Sequence, residues 1–345
     1  MTIFDYFTAQ AVAIYWTEVQ DALPPYLLNY FFPDERIESD DFSYIKGADS
    51  TPIALSMSSY DADPTFRDLE GFTEYTGKLA FFREGFLVKE KDRRELMRAV
   101  ANNEQNIINS LLSKLYKQAS KLIIGAASVR EVFRSQLLLD GKVDFEGNGC
   151  HFIADYKMDS KQKITATTKW TSAAATPLAD MRKWKKEADK RNHQDNRIFI
   201  MNSETFDPLY TNAEILEIFK VNQNLPVIED DLVDLIQRKL KIQIVFYNKT
   251  YKLKGKAETP FIPVGRIVIL PDTQIGSTYF APTPEESDLM YNPNFSGSVE
   301  IVDTGVAVTS IVANDIPVRL ETVVSQAMAP SFELGEYVTT VSGLA

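Results

Sequence analysis

Cys150 and His151 are neighbours in a chain of 345 residues that contains one cysteine and two histidines, the other being His193. A cysteine activated by a histidine is a nucleophile, but the two groups must touch in space. Side by side in a strand, they point to opposite faces. The spacing therefore favours a buried structural cysteine beside an ordinary histidine. One cysteine and two histidines cannot furnish a His- or Cys-rich zinc site. There is no EF-hand spacing, which leaves only a carboxylate-built Mg²⁺ or Ca²⁺ site open. Glu229, Asp230 and Asp231 cluster at the expected start of a helix, where the macrodipole accounts for them. No GxGxxG, Walker or GxSxG pattern occurs, and Gly147-Asn148-Gly149 reads as a turn. These residues support no catalytic, metal-binding or cofactor-binding assignment, and no cofactor is expected.

Composition narrows the field further. Basic residues number 37 against 48 acidic, a net charge of −11. Such a chain gains little from phosphate neutralisation, so sequence-specific nucleic-acid binding is a poor expectation. An acidic surface is still compatible with a container for DNA. With 44% hydrophobic residues the chain can bury a real core. A single cysteine allows no internal disulfide, so packing and association must hold the fold. The opening MTIFDYFTAQAVAIYW lacks a basic region followed by a clean apolar core, which predicts no signal peptide. No apolar run approaches the ~20 residues that span a bilayer.

The elements follow from periodicity and breakers. Phe4, Phe7, Val12, Tyr15 and Val19 fit one face of a short helix. In LPPYLLNYFFPDE, residues 23–35, three prolines forbid a long helix, yet the aromatics are too apolar for water. The segment reads either as irregular structure packed on its own domain, which the residues favour, or as an arm on a neighbouring subunit. Residues 52–60 and 72–82 read as strands of a long hairpin with a polar tip at 61–71. Such a ribbon is marginal alone and needs a partner surface. The spacing predicts a long helix over 92–124, with Asp92 as N-cap and Gly125 as stop. Asp140-Gly141 predicts a hairpin turn. A helix is expected over 176–192, starting at Thr176-Pro177. Its cations, Arg182, Lys183, Lys185, Lys186, Lys190 and Arg191, read as a solvated face rather than a nucleic-acid patch. Strands at 197–201, 242–247 and 266–270 alternate with helices at 203–219 and 230–240. Strands return at 306–312 and 316–328.

This order resembles the capsid fold of tailed phages, the Hong Kong 97 type, and more narrowly the lambda-type major capsid protein E family. The resemblance rests on LPPYLLNYFFPDERIESDDFSYIKG (23–47), KLAFFREGFLVKEKDRREL (78–96), TTKW (167–170), RIFIMNSETFDPL (197–209) and RLETVVSQAMAPSFELGEYVTTV (319–341). Within 248–303 only ILPDTQIG (269–276) matches.

The resemblance implies an α+β chain in four parts: an N-terminal arm (1–50), an extended hairpin loop (51–91), a peripheral domain (92–165 with 304–345) and an axial domain (166–303). It implies a major head protein, not an enzyme. Copies would self-assemble into hexamers and pentamers of an icosahedral shell around phage double-stranded DNA, with the DNA touched only non-specifically. Because the chain opens at the arm, the resemblance also implies a separate scaffolding protein, together with a portal protein and, in some relatives, a decoration protein. No membrane is involved; the place is the virion capsid, and the host cytoplasm during assembly. Contacts between subunits are expected at Tyr26, Leu27, Phe31, Phe32, Phe66, Arg67, Leu69, Phe81 and Phe82. Three rivals compete with this reading: another assembly subunit (tail tube or encapsulin-like compartment), a carboxylate-metal enzyme, and a ligand-binding module built on exposed tyrosines.

Overall fold

The computed structural model describes residues 7–21, 23–46, 73–88, 90–191, 196–222, 229–292, 297–313 and 319–345. Helix α1 (Ala9–Gln20) starts where the Thr8 hydroxyl accepts the Ala11 N–H at 3.2 Å. Val12 and Trp16, one turn apart, face inward, and Tyr15 stacks on Tyr116. Phe4 lies outside the described residues. The proline-bounded stretch makes one 3₁₀ turn at Leu27–Asn29, then strands β1 (Asp34–Arg36) and β2 (Asp41–Lys46). β2 pairs with β3 (Thr73–Lys78), which β4 (Ala80–Leu87) follows. The strand expected at 52–60 and the tip expected at 61–71 lie outside the described residues.

The single helix expected over 92–124 is two helices. α2 (Glu90–Ala101) ends at Asn102–Glu104, where Asn103 turns left-handed at φ 55°, a conformation asparagine tolerates. Asp92 sits in the first turn of α2, not at its cap. α3 (Gln105–Asp140) has 36 residues, about 54 Å at 1.5 Å per residue. It runs through Gly125, because a glycine stops a helix only where the chain turns left-handed. That residue is Gly141, at φ +63°, whose N–H bonds the Leu137 carbonyl at 2.8 Å. Asp140-Gly141 is therefore a helix end and not a hairpin turn. The hairpin of β5 (Lys142–Gly147) and β6 (Cys150–Asp155) instead turns on Asn148-Gly149, both at positive φ.

After β7 (Lys163–Thr165), Pro177 opens α4 (Pro177–Asp189). Next come β8 (Arg197–Met201), α5 (Ser203–Phe206), α6 (Ala213–Asn222) and α7 (Glu229–Leu240). The strands β9 (Ile242–Phe246), β10 (Thr250–Lys252), β11 (Glu258–Pro260), β12 (Ile267–Pro271) and β13 (Thr278–Ala281) follow. The chain closes with α8 (Pro284–Tyr291), β14 (Ser298–Asp303), β15 (Val306–Ala313), β16 (Arg319–Pro330) and β17 (Thr339–Ser342).

Two compact units result. The first comprises 1–42, 76–133 and 277–331; the second 43–75, 134–276 and 332–345. In the first, the long β16 carries β15 and β13 along its length and β4 as a further partner. Alternation along β15 and β16 turns Val306, Val308, Leu320 and Val324 toward Val12, Trp16, Leu115 and Ile123 of α1 and α3. In the second unit the sheet runs β7-β17-β12-β8-β9. β8 and β12 are buried at every residue, which explains their unbroken apolar runs. Trp170, Trp184, Leu232 and Ile236 pack with Phe199, Ile267 and Val341 in that core.

Candidate assembly surfaces

The N-terminal aromatic segment is held by its own unit. Leu28, Phe31 and Phe32 are buried, at 0%, 2% and 0% exposure. The Leu28 N–H donates to Glu131 Oε1 at 3.0 Å. Thr278 donates its N–H to the Pro33 carbonyl at 2.8 Å, and β1 then joins β13 in parallel register. Buried Arg130 of α3 fixes the arrangement: Nη1 reaches Asp34 at 2.8 Å and Nη2 reaches Asp303 at 2.5 Å, with the guanidinium 5.5 Å from the centre of the Phe280 ring. Tyr26 and Leu27 are half-buried. Burial pushes the Tyr26 phenol up, and its hydrogen bond with Ser128 works the other way.

Phe31 and Phe32, expected among the contacts between copies, are buried in the chain's own unit. The exposed aromatic of this segment is Tyr30, at 61%. The residues are apolar enough for either role. The deciding features are the Arg130 and Glu131 contacts, which come from a helix 100 residues downstream that no local pattern reveals.

β4 is a different surface. Its alternation places Phe81 outward, 46% exposed under the Arg83 guanidinium, while Phe82 turns in to meet the Phe133 ring edge-on at 5.5 Å. Arg83 also pairs with Glu285 at 2.6 Å, and Glu285 accepts from the Ser325 hydroxyl. Among the described residues β4 pairs with β16 alone. Leu87 on β4, Ile301 on β14 and Leu289, Met290 and Tyr291 at the end of α8 add exposed apolar area to this unit. The α8 residues escaped the sequence reading, although Thr283 and Glu286 form a capping box there. Phe66, Arg67 and Leu69 lie outside the described residues.

In the second unit a row of rings runs from β2 and β3 into the core. Tyr44 lies tilted against Tyr75 at 5.3 Å, Tyr75 stacks on Tyr156 at 5.0 Å, and Tyr156 meets Phe332 edge-on at 6.3 Å. Burial drives the Tyr156 phenol well above its ordinary range, and burial raises the Tyr75 phenol as well.

The residues singled out for chemistry do not converge. Cys150, expected to be buried, is exposed at the start of β6, beside the turn of the β5–β6 hairpin. His151 lies 2.7 Å from Asp144, which also pairs with Lys142 at 2.9 Å. The His151 and Lys142 bonds hold the Asp144 carboxyl below its ordinary value. Glu229, Asp230 and Asp231 occupy the first turn of α7. His193 lies outside the described residues. Among the described residues no three His, Cys, Asp or Glu side chains are grouped to hold a metal ion. No described helix is long and apolar enough to cross a membrane.

What these surfaces serve is clarified by comparison. No curated protein sequence matches the chain. Solved structures do. A protein of an Escherichia coli CFT073 prophage, described as a capsid protein, superposes with a TM-score of 0.61 at 12% identity over 97% of this chain and 99% of its own. A phage-related protein from Bordetella bronchiseptica RB50 gives 0.56 at 12% identity, over 95% and 96%. The fold is the expected α+β arrangement of Hong Kong 97 type. Residues 8–311 match the sequence profile of the family described as phage major capsid protein E. The chain thus belongs to the phage major capsid protein E family, whose members build shells and are not enzymes.

Proposed function

We propose that this chain is a major head protein whose copies form hexamers and pentamers of an icosahedral shell around phage double-stranded DNA. The family match across residues 8–311 carries the reading. The exposed apolar residues of the first unit support it. Closed shells need heterologous contacts, in which one surface meets a different surface on the next copy. Each contact contributes ~25 cal/mol per Å² of apolar area before the cost of association, so modest contacts sum over many copies.

In this reading residues 1–50 form an arm, 51–91 an extended loop over a neighbour, 92–165 with 304–345 a peripheral domain, and 166–303 an axial domain. Tyr26, Leu27, Phe81, Phe82 and, at the loop tip, Phe66, Arg67 and Leu69 contribute to contacts between copies. A separate scaffolding protein guides assembly in the host cytoplasm, a portal protein occupies one vertex, and a decoration protein is compatible with the shell. The net charge of −11 keeps the wall from holding packaged DNA tightly.

Deleting residues 61–71 tests the loop. The expected result is a folded subunit, cooperative in thermal melting, that sediments as a monomer and forms no shells. Unchanged shells would remove the loop from the mechanism.

A further inference from the structure

The solvent face of α4 is a stripe of like charge. Leu178, Met181, Trp184 and Ala188 are buried, and Arg182, Lys183, Lys186 and Lys190 are exposed on the other side. Arg182 and Lys186 are four apart, as are Lys186 and Lys190; Lys183 and Lys186 are three apart. These spacings put like charges beside one another and destabilise a helix. An ordinary solvated face mixes signs. Here the acids stand on the flanks, where Asp189 takes Lys185 at 2.7 Å and Glu187 takes Lys190 at 2.7 Å. Among the described residues Arg182, Lys183 and Lys186 have no ion-pair partner.

The stripe belongs to a larger segregation of charge. Residues 157–191 hold ten basic and four acidic residues, a net of +6, in a chain of net −11. Residues 203–234 of the same unit hold eight acidic and one basic, a net of −7. Of these acids all but Glu214 are exposed, Asp207, Glu217, Asp230 and Asp231 among them. One unit thus carries matched and opposite patches on rigid helices. In a ring of identical copies, such patches meet across a heterologous contact.

We propose that the basic face of α4 docks on the acidic surface marked by Asp207, Glu217, Asp230 and Asp231 of the next copy of this chain. The proposal rests on the shell-forming reading above and names one of its contacts. A copy fits better than DNA, because the complementary charge is present in equal measure on the same unit and the rest of the chain repels phosphate.

The test uses the full chain in a shell-assembly assay followed by sedimentation and electron microscopy. The triple change Arg182→Gln, Lys183→Gln, Lys186→Gln removes self-repulsion from α4, so the subunit stays folded. It raises the protein concentration needed for shells by about tenfold, from three exposed pairs. The triple reversal to Glu abolishes shells. Adding Glu217→Lys, Asp230→Lys and Asp231→Lys to that reversed chain restores them. High salt weakens wild-type assembly and spares the neutral triple. Shells that form normally from the reversed triple overturn the proposal, and if they lose only retained DNA, the face binds nucleic acid instead. Loss of shells that the acidic reversals do not restore also overturns it. Failure of the wild-type chain to form shells under any condition is the separate result that removes the shell-forming reading.

Discussion

Phe32 distinguishes a core residue from an interface residue. Its side chain is fully buried in the first unit, beside Leu28 and Phe31, and its carbonyl accepts the Thr278 hydroxyl at 3.3 Å. Phe32→Ala removes six carbons' worth of packing from a fully buried site. Such changes cost about 3–5 kcal/mol. For a chain of this size each kcal/mol moves the melting temperature by about 1.4 °C, so the drop is about 4–7 °C. The assay is thermal and urea unfolding of the subunit held dilute and unassembled. Phe31→Ala, at 2% exposure, behaves alike. Tyr30→Ala, at 61% exposure, changes subunit stability by less than about 0.5 kcal/mol and acts on assembly instead. The reasoning is refuted if Phe32→Ala melts with the wild type yet blocks assembly, because the ring would then belong to a neighbour.

Other perturbations follow from single contacts. Gly125→Ala stabilises the subunit by about 0.5–1 kcal/mol, since the new methyl meets nothing within 4 Å inside α3; a loss of stability on calorimetry would show that α3 does not run through this point. Gly141→Ala loses at least about 1–2 kcal/mol, because the φ of +63° is left-handed and the new carbon falls 2.2 Å from Met158 Cβ. Arg130→Met leaves Asp34 and Asp303 without their cation; with Asp303 partly exposed, the cost is about 2–3 kcal/mol, and Asp34→Asn in the same chain recovers part of it. Glu90 is held at about 2, against an ordinary 4.5, by hydrogen bonds from Arg93 and Arg94. Because the folded value is the lower one, its contribution is complete above pH 4.5 and is lost as pH falls toward 2. A carboxyl titration by NMR checks this, and Arg93→Gln with Arg94→Gln raises the value; an unshifted wild-type Glu90 contradicts the bonding.

Local chemistry carried much of this fold in the sequence. RIFIM and RIVIL are apolar without alternation because β8 and β12 lie inside a sheet buried on both faces. Pro177 after Thr176 marked the start of α4, although the Thr176 side chain makes no cap bond. Glycine was the harder signal. Gly125 and Gly141 look alike in a pattern of apolar residues, and only the backbone angle that tertiary structure imposes separates a helix interior from a helix end. Asn102-Asn103 broke the long helix where the apolar stripe alone ran on. The assembly surfaces were legible only in part. Aromatic residues announce burial but not whose core receives them, so Phe31 and Phe81 read alike while Arg130, Glu131 and β13 claim only the former's segment. The cationic stripe of α4 was visible, but not that Arg182, Lys183 and Lys186 make no ion pair among the described residues, because ion pairing depends on where side chains settle in the fold.

Electron microscopy of the purified chain, produced alone and together with its genomic neighbours, bears most directly on the central claim. The account predicts closed particles of uniform diameter with five- and six-fold rings of subunits. A compact monomer at every concentration, or open tubes in place of shells, would contradict it.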